Sequence, residues 1–81
     1  MNVVTGEAEK KALCARLARV EGQLRGLQKL IQADTEAEKV SQQMTAARKA
    51  LDKAFFALVA AMIAEGKVAN EDIASILIRF A

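Results

Sequence analysis

The chain has no histidine, proline, tryptophan or tyrosine, and its 81 residues include one cysteine and three phenylalanines. Without histidine the commonest general base and the commonest nitrogen ligand for metals are both missing. One cysteine, Cys14, excludes an internal disulfide and fits a reducing compartment. Long apolar runs are missing as well. The longest, Ala54 to Ala64, has eleven residues, too few to span a bilayer and suited to a buried core helix. The opening MNVVTGEAEKK has no apolar stretch of the kind that forms a secretory signal. These absences point to a cytoplasmic protein with no membrane association.

What is present is helical. A chain of this length makes one small domain (1–81) and buries only about 60% of the surface that it exposes when unfolded. Hydrophobic residues make up 53% of it, more than a lone three-helix unit can hide, so completion of the core by self-association is expected. After a loose arm over residues 1–5, the spacing predicts a first helix over about 6–32. Its apolar seam is Leu13, Leu17, Val20, Leu24, Leu27 and Ile31, spaced by fours and threes. Gln32 to Thr35 reads as a turn, and Thr35 with Glu38 matches a capping box. A second helix over about 36–65 carries the seam Val40, Met44, Ala47, Leu51, Ala54, Leu58 and Met62. Two long seams joined by a short connection predict an antiparallel hairpin. Phe55, Phe56, Val59 and Ile63 add apolar surface outside that seam, which a second chain is expected to cover. Gly66 is placed to stop helix two, and Asn70 to cap a short third helix over about 70–80.

Catalysis finds little to work with. Cys14 has no histidine partner and reads as a small, partly buried residue beside the first seam. The carboxylates Asp34, Glu36 and Glu38 cluster at a helix start, where capping accounts for them. No enzyme and no cofactor is expected. For a soft metal the chain offers the Cys14 thiol and three methionines, of which Met44 and Met62 fall on the seam as core filler. The basic residues are more suggestive. Net charge is only +2, but ten of the twelve cations lie on the first two helices. Arg16 and Arg19 flank one edge of the first seam, Lys49 and Lys53 stand one turn apart, and Arg48 can pair with Asp52. Solvated helix faces would explain the same charges, so pattern alone does not settle a nucleic-acid partner. Gly22 and Gly26, one turn apart in helix one, each cost about 1 kcal/mol against alanine. They suggest close approach of another helix or a ligand backbone, or tolerated flexibility.

The block from Arg16 to Gly26, RLARVEGQLRG, resembles the first-helix signature of the CsoR/RcnR/FrmR repressors. The block from Gln43 to Lys53, QMTAARKALDK, resembles their second-helix signature, and the spacing between the two also matches. This resemblance implies an all-α dimer that pairs into a flat tetramer and binds double-stranded DNA without a helix-turn-helix. Arg16 and Lys53 match the family's basic DNA-binding positions, and Arg19, Arg48 and Lys49 join them on charge. Where the family's sensors hold a cysteine, a histidine and a second cysteine, this chain has Ala37, Met62 and Gly66. The expectation is therefore a DNA-binding regulator, a repressor, that has lost its thiol and imidazole sensing site. It would act constitutively or answer to another effector or a protein partner. The alternative is an oligomeric helical scaffold that works through protein contacts and no longer binds DNA. Metal uptake through Cys14 or an arm ligand would be a third outcome.

Overall fold

A computed structural model describes residues 6–81. The expected arm over residues 1–5 lies outside the described residues. Three α-helices follow one another, α1 (Glu7–Gln32), α2 (Ala37–Glu65) and α3 (Asn70–Phe80). The all-α class and the hairpin of α1 and α2 are as the seams predict. The described chain measures 47 × 27 × 15 Å between Cα atoms. The two helices of the hairpin lie side by side as a single layer and α3 packs on α2 alone, so both broad faces are open for much of their length.

The seams divide by heptad position. Val20 and Leu27 on α1 and Ala47, Ala54 and Ala61 on α2 are buried between the helices. The alternate positions are not. Leu17, Leu24 and Ile31 on α1, with Met44 and Leu51 on α2, remain about half exposed, Leu24 at 46% and Leu51 at 51%. Two turns of chain chemistry fix the remaining geometry. At the first connection Asp34 takes φ 55°. Its N–H donates to the Ile31 carbonyl at 3.2 Å, and the Thr35 N–H donates to the Leu30 carbonyl at 3.1 Å. This is a Schellman closure with aspartate in the left-handed position usually taken by glycine. It engages the Thr35 backbone with α1 and moves the start of α2 on by one residue. Glu36, not Thr35, is the N-cap, no side chain caps it, and the capping box does not form. Glu38 still lies in the first turn, where the helix dipole favours it.

At the second connection Gly66 adopts φ 66° and its N–H bonds the Met62 carbonyl at 3.2 Å, ending α2 as expected. Asn70 does not cap α3. The N-cap is Ala69, whose carbonyl accepts from Asp72 and Ile73 at 3.0 Å, and Asn70 is the first helical residue. α3 folds back along α2 alone. A compact core forms there from Val59, Met62, Val68 and Ile73, backed by Phe55, Leu58, Ile76 and Leu77. Phe56, Ile63, Ile78 and Phe80 stay exposed around it, Ile78 at 85%. Phe55 and Phe56 meet edge to face at 5.5 Å, so only one of the two rings turns toward the core. The N-terminus of α1 is tied to the far end of α2. The Gly6 N–H, at the N-cap, donates to Glu65 Oε1 at 2.7 Å, while no side chain caps the first turn of α1.

Candidate nucleic-acid interface

The hairpin's two broad faces differ in chemistry because the seam separates them. On one side of it Leu13, Leu17, Leu51, Ala54, Phe55 and Leu58 line an apolar groove. On the other, a groove of about 260 Å³ is lined by Arg16, Arg19, Gln23, Ala46, Lys49, Ala50 and Lys53. Helical spacing produces this second groove. Arg16, Arg19 and Gln23 share a face of α1 at three- and four-residue intervals, and Lys49 and Lys53 share one on α2. Ala46 and Ala50, also one turn apart, keep the floor low, so the long cations stand as walls above it.

Four of the five candidate DNA-binding residues thus come together, two from each helix, although more than thirty positions separate Arg16 from Lys49. Arg48 is not among them. It precedes Lys49 by one residue, about 100° around the helix, and it does not line the groove. Its expected pairing with Asp52 is also absent. Among the described residues no carboxylate lies within ion-pair distance of Arg16, Arg19, Arg48, Lys49 or Lys53. An ion pair does form at the N-terminal end of α1, where Lys10 Nζ and Glu7 Oε1 are 3.5 Å apart. Taking the four groove cations from the formal +2 leaves −2 on the rest of the chain. The weak net charge therefore conceals a concentrated field on one face.

Gln23 is the groove residue that charge counting misses. Its place at the same spacing as the arginines was the signal available in the sequence. No aromatic residue lines this groove, since Phe55, Phe56 and Phe80 border a separate cavity at the α2–α3 side. It offers cations and one amide, a set suited to phosphate oxygens, and no surface for stacking bases.

The positions that the resemblance aligns with sensor ligands, Ala37, Met62 and Gly66, lie elsewhere. Ala37 is the first residue of α2 and Met62 and Gly66 lie at its other end, about 37 Å along the helix at 1.5 Å per residue. Met62 is 3% exposed within the apolar core, and Gly66 serves the helix stop. Neither alanine nor glycine has a donor, and the thioether is enclosed by hydrocarbon. These residues do not fit a soft metal ion at those positions. Among the described residues no group of three or more histidine, cysteine, aspartate or glutamate side chains gathers as a metal site. Cys14, read from the sequence as partly buried, is exposed. It sits one position off the inward residue Leu13, far enough around the helix to miss the seam. Gly22 and Gly26 also look outward, with nothing within 4 Å of a Cβ built at either. Among the described residues no helix makes the close approach that they suggest.

The hairpin thus presents one apolar and one cationic groove on opposite sides of its seam. The chain matches the family described as metal-sensitive transcriptional repressor over residues 9–76, and it belongs to that family. Comparison with curated proteins and with solved structures gave no match. The family is one of transcriptional repressors and not of enzymes. Among the described residues no helix is long and apolar enough to cross a membrane.

Proposed function

We propose that the protein is a cytoplasmic transcriptional repressor that grips double-stranded DNA through the Arg16, Arg19, Lys49 and Lys53 groove. The single observation that carries this is the convergence of four cations from two helices, none ion-paired among the described residues, onto one groove without an aromatic residue. Such a surface contacts the phosphate backbone, where it sets position and affinity, and leaves sequence choice largely to DNA shape. Gln23 adds a neutral hydrogen-bonding group to that contact. Arg48, outside the groove, contributes less.

The apolar face supplies the means of self-association. Leu17, Leu24 and Ile31 with Met44 and Leu51 form a half-exposed stripe on a layer one helix thick, which suits a second copy of the hairpin. Phe56, Ile63, Ile78 and Phe80 offer a further apolar surface through which dimers can pair into a tetramer. Repetition of the cationic groove over such an assembly would follow the DNA backbone over more than one turn. The thiol and imidazole sensing chemistry of the family is lost, because Ala37, Met62 and Gly66 replace its donors. Release from DNA then depends on a signal other than a soft metal.

Titration with duplex DNA from the gene's own upstream region, at two salt concentrations with and without chelator, tests this. Salt-steep binding that ignores chelator and falls on Arg16→Ala or Lys53→Ala supports it. Binding indifferent to both substitutions removes the assigned face, and no binding above random DNA favours a helical protein-interaction scaffold.

A further inference from the structure

We propose that the same groove binds a small molecule carrying contiguous phosphate groups, and that this ligand and DNA compete for it. The inference rests on the DNA-binding role proposed above and gives that site its regulation. Three features of the groove carry it. It is an open groove of about 260 Å³, with room between its cations for a few phosphate groups. Its cations come from both walls, Arg16 and Arg19 on α1 and Lys49 and Lys53 on α2, so adjacent phosphates can be held from two sides at once. Among the described residues no acid lines it, and none lies within ion-pair distance of those cations.

A flat basic stripe would serve a DNA backbone equally well and hold a small anion poorly. The alanine floor makes the difference. Ala46 and Ala50 leave space between the two cation pairs, and Gln23 in the lining adds an amide able to donate to phosphate oxygens. The lack of an aromatic lining also fixes the class of ligand. A base or ring has nothing to stack on, so the phosphates are what the groove recognises. A repressor whose family ligand positions hold Ala37, Met62 and Gly66 needs some other signal to leave DNA, and occupation of its phosphate groove supplies one directly.

The test uses the intact protein bound to a fluorescent duplex, with inorganic tripolyphosphate as competitor and sulfate as control at matched ionic strength. Tripolyphosphate should displace the duplex at a concentration at least about tenfold below that of sulfate, beyond a general salt effect. A nucleoside triphosphate should perform within about threefold of tripolyphosphate, because its base gains no contact. Backbone amide shifts with tripolyphosphate alone should centre on Arg16, Arg19, Gln23, Lys49 and Lys53, and should vanish in Arg16→Gln/Lys53→Gln while Arg25→Gln retains them. Helical circular dichroism confirms that each variant is folded. Equal displacement by tripolyphosphate and sulfate overturns the proposal while leaving DNA binding intact. Shifts centred away from the groove overturn it too, and a nucleotide better by tenfold or more overturns recognition by phosphates alone. Tripolyphosphate binding in a protein that binds no duplex would overturn the repressor role and the competition together.

Discussion

The family resemblance aligns Met62 with a histidine of the family's sensors, so Met62→His asks whether this chain could still accept one. The side chain is 3% exposed and packs with Val59, Val68 and Ile73, and the described residues include no buried polar or charged side chain. An imidazole there forfeits much of the ~1.5–3 kcal/mol gained by burying methionine. Leaving a ring nitrogen unpaired adds about 1–3 kcal/mol. A loss of about 2–5 kcal/mol is expected at pH 7.5, against the ~4–12 kcal/mol total stability of an 81-residue domain. Met62→Leu, which nearly conserves volume, should cost less than about 1.5 kcal/mol. Acid distinguishes the polar cost from a simple cavity. Burial holds the introduced imidazole below its ordinary value of about 6.5. The unfolded chain then takes up the proton first as pH falls, and the folded state loses stability. Between pH 7 and 5.5 the linkage amounts to about 1 kcal/mol of further loss for Met62→His relative to Met62→Ala. Urea unfolding at fixed protein concentration, at both pH values, measures it. A Met62→His variant within about 0.5 kcal/mol of the parent at both would refute the enclosure of this site.

Other predictions concern the turns, the cap and the two faces. Asp34→Gly should stabilise the chain by about 0.5–1 kcal/mol, because φ 55° costs a residue with a Cβ more than it costs glycine; a fall in thermal midpoint would contradict the turn. Gly66→Ala should destabilise by about 1 kcal/mol from conformation alone, since nothing lies within 4 Å of the added Cβ. Glu65→Ala removes the acceptor of the Gly6 N–H and should cost about 1–2 kcal/mol, with faster amide exchange in the first turn of α1. Leu24→Lys with Leu51→Lys places charge in the half-exposed stripe and should shift sedimentation to a smaller species, whereas an unchanged size would place the contact elsewhere. Lys49→Ala should weaken DNA binding more than Arg48→Ala, and the reverse order would move the interface around α2.

Most of the fold was legible because two long seams with four- and three-residue spacing leave few alternatives to a hairpin. The ends of helices were less so. Thr35 and Asn70 are both good capping types, yet both lost the role to backbone closures. At the first, Asp34 entered the left-handed region and the Thr35 N–H bonded back to the Leu30 carbonyl of α1. At the second, the chain leaving Gly66 began α3 directly after Ala69. Met44 was read as core filler on the seam, whereas it and Leu17, Leu24, Ile31 and Leu51 face outward in part. Seam spacing marks apolar positions but not which neighbour covers them. The cationic site was half legible. Arg16 and Arg19 could be placed on one edge of α1, and Lys49 and Lys53 on one turn of α2. Their convergence depended on the hairpin register, and that same register left Arg48 outside and admitted Gln23. Cys14 was misjudged because adjacency in sequence to Leu13 is about 100° of rotation on a helix.

The central claim, that one groove holds DNA through its phosphates, is tested most directly by the salt dependence of duplex affinity. The parent protein should show a steep linear fall of log affinity with log salt, and Arg16→Ala/Lys53→Ala should flatten the slope by about 2 for each groove engaged on the duplex. An unchanged slope in a folded double variant would show that the DNA lies on some other surface of the molecule.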